Sequence, residues 1–200
     1  MNSVLVHWLL AALAFKVITN HTSAVESPVV HDPAVHTGGG LKKELIDGIT
    51  AADFLKLGDK PKVARIVVVT AFNDENSWLN FNGYFRGGAI YTIPVGWTVE
   101  VTFINPSPSP HSAIIVERDM IRKVQVGEPA FAGASILNPI LGISTSKATF
   151  SFVANAAGEY AIACGVPTHA AGGHWIALNI SASAKGPKLK LGDLPERDAK

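Results

Sequence analysis

The only cysteine of this 200-residue chain lies close to two histidines in the run YAIACGVPTHAAGGHWIALNI, from Tyr160 to Ile180. Cys164, His169 and His174 have the spacing C-x4-H-x4-H, on a loop rich in glycine and proline. A third histidine, His111, stands 53 residues before the cysteine and directly follows the proline-punctuated NPSPSP. One thiolate and two imidazoles, with a fourth donor on the thiolate's own loop, form the ligand set of a mononuclear copper centre. Copper binding is therefore the first hypothesis.

The same residues are compatible with other chemistry. One cysteine and three histidines also satisfy a closed tetrahedral zinc site. Cys164 could instead be the nucleophile of a hydrolase with a histidine as its base, although no dedicated oxyanion loop is apparent. Two plainer interpretations stay open as well: an inert buried thiol, and a His174 that turns away from the metal to hydrogen-bond a carbonyl.

Strand alternation predicts where two of these side chains point. In the segment EYAIAC, Cys164 shares one strand face with Tyr160 and Ile162. After the loop, His174 is in phase with the apolar residues of 176–180. Both side chains are therefore expected to point into the core.

The elements that would hold these residues are mostly short strands separated by turn signals. The predicted strands cover 63–70, 89–93, 98–105, 111–117, 149–153, 159–164 and 174–180, and 78–85 is a further β-type run that carries an Asn82-Gly83 turn. Their number and alternation favour an all-β, antiparallel sandwich with Greek-key connections. An imperfect helical period in 41–57 predicts a short N-terminal helix or helical turn, and 118–147 is expected to be a long irregular excursion between the sheets.

Composition narrows the function. The chain has 17 basic and 16 acidic residues, so it lacks the excess of positive charge that nucleic-acid-binding proteins have. Binding of DNA or RNA is therefore not expected. Its length and its 48% apolar content suffice for one domain with a real core.

The N-terminus predicts export. Residues 4–15 form an apolar segment of 12 residues, too short for a membrane span of about 20 residues. With small residues ending at Ala24, it is interpreted as a signal peptide over 1–24. Lys16 and the absence of a basic residue before it leave an uncleaved anchor, and membrane association through the N-terminus, as the alternative.

The rest of the chain divides into three parts. Residues 25–40 are predicted to be a flexible spacer, 41–181 the folded domain and 182–200 a disordered tail. The protein is expected in the periplasm or on the extracytoplasmic face of a membrane. A lone cysteine in such a protein cannot form an internal disulfide, and its neighbours favour a ligand role.

Five segments within 63–181 together resemble the sulfocyanin family of blue copper proteins, with rusticyanin as a more distant relative. These segments are FNGY, VGWTVEVTFIN, PHS, GEYAIACGVPTHA and HWIALNI. The resemblance implies a cupredoxin-like fold with one copper ion that alternates between Cu(I) and Cu(II). It also implies single-electron transfer, not enzymatic catalysis, between respiratory partners such as cytochromes or a terminal oxidase.

Carried over by position, His111, Cys164 and His169 match the three strong equatorial ligands of the family. Ser112 matches the polar residue that ties the ligand loops together. The fourth ligand differs, because the relatives have methionine before the tryptophan where this chain has His174. Imidazole is a stronger donor than thioether and suits Cu(II) better. His174 is therefore predicted to lower the reduction potential and to give a green or red centre in place of an intensely blue one.

The surface near the site is expected to serve a partner. His169 is flanked by small and apolar residues and is predicted to bring one edge to solvent as a flat docking patch. Weak redox encounters use interfaces below about 1,200 Å². Two other functions on the same fold stay open: a copper carrier or buffer, and a red-copper site for a small molecule.

Overall fold

The computed structural model describes residues 40–200, which form ten β-strands in two sheets. The strands are β1 (Leu55–Leu57), β2 (Val63–Val69), β3 (Ala89–Pro94), β4 (Thr98–Asn105), β5 (Ile114–Glu117), β6 (Ser146–Val153), β7 (Gly158–Ala163), β8 (Trp175–Ser181), β9 (Lys188–Leu191) and β10 (Arg197–Asp198). The predicted signal peptide and all but the last residue of the predicted spacer lie outside the described residues.

One sheet has the order β1-β2-β4-β6 and the other the order β10-β9-β3-β8-β7-β5. The predicted all-β sandwich is confirmed. Two neighbouring pairs, β2 with β4 and β3 with β8, are parallel, whereas an antiparallel sandwich was predicted. Parallel neighbours need a crossover connection between them. For β2 and β4 this connection runs through β3, which lies in the other sheet, so β4 returns beside β2 in the same direction.

The core follows the strand period. Val99, Val101 and Phe103 on one face of β4 are at most 1% exposed, whereas Glu100 between them is exposed. Phe103 meets Phe81 edge to face, with ring centroids 6.3 Å apart. Each large apolar side chain buried in this way contributes about 1.5–3 kcal/mol. This interlayer packing gives the site a rigid support.

Of the two structures predicted for 41–57, a short helix or a helical turn, the helical turn is correct, and no α-helix forms there. The structure has two short 3-10 turns, Lys43–Leu45 and Ala51–Asp53, followed directly by β1. The Asp53 carboxylate closes the second turn by accepting hydrogen bonds from the Thr50 N–H at 2.8 Å and the Thr50 hydroxyl at 2.9 Å. An α-helix cannot continue because Phe54 and Leu55 must enter the sandwich core, where they are 2% and 0% exposed. Within residues 40–200, no helix has the length and apolar character that crossing a membrane requires.

The disordered tail predicted for 182–200 is also wrong. β9 pairs antiparallel with β3, and β10 pairs with β9. Leu189 and Leu191 on β9 are 0% and 6% exposed. The alternation of lysine and leucine in KLKL is therefore the pattern of a strand with one buried face. The folded domain therefore extends beyond the predicted boundary at residue 181.

The β-type run predicted at 78–85 forms a loop without a regular strand. Its predicted Asn82-Gly83 turn is present, with φ of +56° and +83°, and Phe81 and Tyr84 exchange backbone hydrogen bonds across it. Both central residues of such a two-residue turn need a positive φ. The arms are too short to form a strand, and the loop instead buries the polar residues Asn80 and Asn82. Thr70, which forms an isolated β-bridge with Phe81 of the loop, is buried as well.

Candidate metal centre

Four side chains meet inside the sandwich, one from residue 111 and three from the segment 164–174. His111 precedes β5, Cys164 follows β7, His169 lies in the next loop, and His174 directly precedes β8. They are 0%, 0%, 3% and 0% exposed, in that order. One potential ligand atom from each lies within 4.8 Å of the others. The structure thus brings together all four residues that the sequence predicted for the site.

Strand register explains this convergence. Ala163 at the end of β7 pairs with Ile114 on β5 on one side and with Trp175 on β8 on the other. The residues just outside these strands therefore emerge at the same end of the six-stranded sheet. The Cys164 N–H donates to the His174 carbonyl at 3.0 Å, which closes the base of the ligand loop.

The ligand loop, residues 164–174, is wound by short-range backbone hydrogen bonds. The His169 N–H donates to the Val166 carbonyl at 3.2 Å, and the His174 N–H donates to the His169 carbonyl at 3.0 Å. Gly172 and Gly173 continue this winding with bonds to Thr168 and Ala170. The compact turn brings the two histidines of the loop to one centre.

His111 is held by the long irregular segment 118–147 that connects the two sheets. It exchanges backbone hydrogen bonds with Ile143, at 3.1 and 2.8 Å. The Asn105 side-chain amide donates to the carbonyls of Ser109 and Ile143 at 2.7 and 2.6 Å, which secures the proline-rich segment. Gly142 has φ +70°, and a Cβ there would lie 2.7 Å from the His111 carbonyl oxygen. This position therefore requires glycine.

Ser112 joins the two parts of the site. Its backbone N–H donates to the Cys164 sulfur at 3.4 Å, and its hydroxyl oxygen accepts from the Gly165 N–H at 2.7 Å. Ser112 therefore ties the ligand loops together, as the resemblance implied. Gly165 also packs against Pro139, because a Cβ on Gly165 would lie 2.9 Å from the Pro139 carbonyl oxygen.

The thiol is suited to a metal and not to free nucleophilic chemistry. Burial raises the pKa of Cys164 to about 11, against the lowering effect of hydrogen bonds from the backbone of Ser112 and Val166. A catalytic cysteine needs a lowered pKa and access to substrate. A cation would supply the charge that the buried thiolate needs. The geometry does not support the hydrolase alternative.

The spacing of the donors fits a shared ion. Cys164 Sγ lies 3.4 Å from His169 Nδ1. A metal about 2.3 Å from sulfur and about 2.0 Å from nitrogen, at a tetrahedral angle, would separate these two atoms by about 3.5 Å. The His111 ring centroid lies 5.1 Å from that of His169 and 4.9 Å from that of His174. A sulfur and three imidazoles suit copper or zinc, whereas Mg²⁺ and Ca²⁺ prefer oxygen donors.

His174 combines two interpretations that the sequence treated as alternatives. Its Nε2 lies 3.1 Å from the Asn80 carbonyl oxygen and 2.9 Å from Thr70 Oγ1, so the ring does contact a carbonyl. The same ring stays within the donor cluster and packs on Phe81, with centroids 4.2 Å apart. Sequence reasoning missed Thr70 and Asn80, because they lie 104 and 94 residues from His174 and no local pattern joins them to it.

A β-sandwich with a buried cysteine, two histidines and a fourth donor at one end of a sheet defines a protein of the cupredoxin class. The family model described as "Sulfocyanin (SoxE) domain" matches residues 54–189. The chain belongs to the sulfocyanin family. Members of this class are electron carriers and not enzymes.

Three individual relatives have low sequence identity to this chain. The sulfocyanin of Sulfolobus acidocaldarius is 26% identical over 137 residues, which cover 63% of this chain and 67% of the relative. The reduced auracyanin of Roseiflexus castenholzii is 26% identical, with a TM-score of 0.42, over 62% of this chain and 99% of its own. Rusticyanin of Thiobacillus ferrooxidans is 18% identical, with a TM-score of 0.37, over 65% of this chain and 89% of its own.

Proposed function

We propose that this protein binds one copper ion through His111, Cys164 and His169, with His174 as a fourth donor, and transfers single electrons between redox partners outside the cytoplasm. The observation that carries the proposal is the buried convergence of one sulfur and three imidazoles, with one potential ligand atom of each residue within 4.8 Å of the others. When bound, copper supplies a one-electron couple between Cu(I) and Cu(II).

The protein's contribution to such a couple is a pre-set geometry. His111 is fixed by its pairing with Ile143, Cys164 by the N–H of Ser112, and His174 by its own backbone bond to His169. All four side chains are buried, so little water would reorient when the charge of the site changes. Donors that keep one arrangement in both oxidation states keep the barrier to electron transfer low.

His174 is proposed to lower the reduction potential. Its Nε2 faces the Asn80 carbonyl, which leaves Nδ1 as the nitrogen available to a metal. A strong fourth donor favours Cu(II) and weakens the bond between copper and the thiolate. The expected colour is therefore green or red.

For the partner, we retain a respiratory redox protein such as a cytochrome or a terminal oxidase. His169 itself is 3% exposed, so its edge reaches the surface less than the sequence predicted. Thr168, Ala171 and Gly172 beside it are exposed, and this part of the ligand loop is the proposed docking face. The exposed side chain of Val124 flanks it, since the Val124 carbonyl accepts from the Thr168 N–H at 2.7 Å.

Export to the periplasm or to the extracytoplasmic face of a membrane belongs to the same proposal. The apolar N-terminal segment supports it. The lone cysteine, which cannot form an internal disulfide, is compatible with it.

The test is the visible absorption and EPR spectrum of the full chain after loading with Cu(II), beside the Cys164→Ser variant. We expect a strong thiolate-to-copper band that is absent in the variant, and reversible reduction without loss of the metal. A protein that binds Zn²⁺ and shows no such band with Cu(II) would overturn the proposal. Copper that exchanges readily during redox cycling would favour the alternative function, that of a copper carrier or buffer.

A further inference from the structure

The buried polar pair Thr70 and Asn80 is the feature of the site that the ligand set leaves unexplained. Neither residue belongs to the donor cluster, yet both are 0% exposed and both contact Nε2 of His174. Buried polar groups are costly unless they are hydrogen-bonded, so their position against a single ring nitrogen calls for a physical reason.

The contacts fix which nitrogen of His174 carries the proton. The Asn80 carbonyl can only accept a hydrogen bond, so Nε2 must be the protonated nitrogen. A protonated Nε2 has no lone pair, so the Thr70 hydroxyl oxygen, 2.9 Å away, accepts the same N–H. The neutral ring then has its lone pair on Nδ1.

Asn80 is held rigidly enough to serve as this acceptor. Its side-chain oxygen accepts from the N–H groups of Phe72 and Gly83 at 3.1 and 3.2 Å. Its side-chain nitrogen donates to the carbonyls of Asn73 and Glu75 at 2.9 and 2.8 Å. These four bonds lock the loop around Asn80, and its backbone carbonyl is therefore a fixed reference point for the His174 ring.

We propose that Thr70 and Asn80 are positioning residues that present His174 to the metal through Nδ1 and increase its donor strength. This inference rests on the proposed copper function and deepens it. Hydrogen bonds from the remote nitrogen of a ligating histidine fix its tautomer and orientation and raise its basicity. The pair at 70 and 80 thus sets how strongly the unusual fourth donor favours Cu(II).

Thr70→Val tests the proposal because it removes one acceptor while it keeps the shape of a fully buried side chain. Loss of such an outer partner typically costs about tenfold or more in metal affinity. We expect a tenfold loss of affinity for Cu(II) with little change for Cu(I). That change corresponds to a rise of about 59 mV in the midpoint potential.

Pulsed EPR supplies a readout that general destabilisation would not move. The remote nitrogen of a coordinated imidazole gives a signal that depends on its hydrogen bond, and a His174→Met variant identifies the signal that belongs to His174. We expect Thr70→Val to change this signal and Thr70→Ser, which retains the hydroxyl, to restore both the signal and the potential. Thr102→Val is the matched control, since it makes the same change on the face of β4 opposite to Phe103.

The outcomes separate the two proposals. A Cys164-dependent band in every variant, with a shift in Thr70→Val alone, supports the positioning role. The same band with an unchanged potential and remote-nitrogen signal in Thr70→Val overturns the positioning role and leaves the copper function intact. An equal shift in Thr102→Val also overturns it. A wild-type protein without the band overturns both proposals.

Discussion

The ligand loop at 164–174 and the supporting loop at 70–83 meet at His174 but are built by different interactions. Short-range backbone bonds wind the ligand loop, such as the bond between His174 N–H and the His169 carbonyl. Side-chain amides hold the supporting loop: Asn82 accepts from the Val69 N–H and donates to the Val67 carbonyl, as Asn80 does for its own neighbours. The first loop supplies donors, and the second determines how one of them is presented.

The ligand loop thus determines which donors are present, and the supporting loop determines the tautomer and donor strength of one of them. Three of the four donors lie in one short stretch of sequence, 164–174, and can be recognised there by residue type and spacing. The tautomer and basicity of His174 depend on residues that contact no metal and are remote in sequence. The two loops can therefore be perturbed separately.

The largest effect is expected from His174→Met in the ligand loop. A thioether is a weaker donor than imidazole and leaves the copper–thiolate bond stronger. The variant should therefore turn blue and should have a higher midpoint potential, measured by spectroelectrochemistry. An unchanged colour and potential would contradict coordination by His174.

Asn80→Ala should produce the next largest effect, mainly on stability. The variant leaves four part-buried backbone groups of the supporting loop without their amide partner, at about 1–3 kcal/mol for each group that water does not reach. We expect a loss of about 3 kcal/mol or more in the free energy of unfolding, measured by denaturant titration of the metal-free protein. Asn73→Ala is the control, because the Asn73 side-chain oxygen accepts a long, exposed hydrogen bond from the Glu75 N–H, at 3.3 Å. Equal losses in both variants would show that the Asn80 network does not hold the loop.

Gly142→Ala perturbs His111 without touching either loop. Alanine at φ +70° is strained, and its Cβ would lie 2.7 Å from the His111 carbonyl oxygen. We expect a loss of about 1–3 kcal/mol in stability and weaker copper binding. Gly96→Ala, which has φ +80° and no atom within 4 Å of the added Cβ, measures the backbone strain alone. The copper affinity should fall in the first variant only.

The smallest effect is expected at the proposed docking face. Ala171→Asp places a charge on the exposed part of the ligand loop, two residues from His169. A charge at the edge of an interface changes the association rate more than the properties of the site. We expect slower electron exchange with a cytochrome partner at an unchanged midpoint potential, measured by stopped-flow absorption. An unaffected rate would place docking elsewhere.

The parts of the fold that sequence predicted are those fixed by local pattern. β4 has the predicted bounds because alternation between Val99, Val101 and Phe103 decides its inner face and both of its ends adjoin turns. The inward phase of Cys164 and His174 was predicted correctly for the same reason. Residue type, spacing and strand phase singled out Cys164, His169 and His174, the family resemblance supported His111, and the structure brings the four together.

The parts that sequence could not predict depend on long-range packing. The sequence around Leu189 predicts a polar tail, but the residue lies in a strand because β9 pairs with β3. The sequence around Leu55 predicts a helical turn, but the residue lies in a strand because β1 pairs with β2. The acceptors of His174 lie in two separate β-type runs, 63–70 and 78–85, and no local pattern showed that both would contact one ring nitrogen. Parallel pairing of β2 with β4 likewise requires knowledge of the crossover.

The most direct test of a four-donor copper centre is copper K-edge X-ray absorption on the loaded full chain in both oxidation states. We expect one sulfur at about 2.3 Å and three nitrogens at about 2.0–2.1 Å, by analogy with thiolate and imidazole bonds to zinc, with little change on reduction. The His174→Met variant should lose one nitrogen from this shell. Two nitrogens in the wild-type protein, unchanged in the variant, would contradict coordination by His174 and with it the role assigned to the supporting loop.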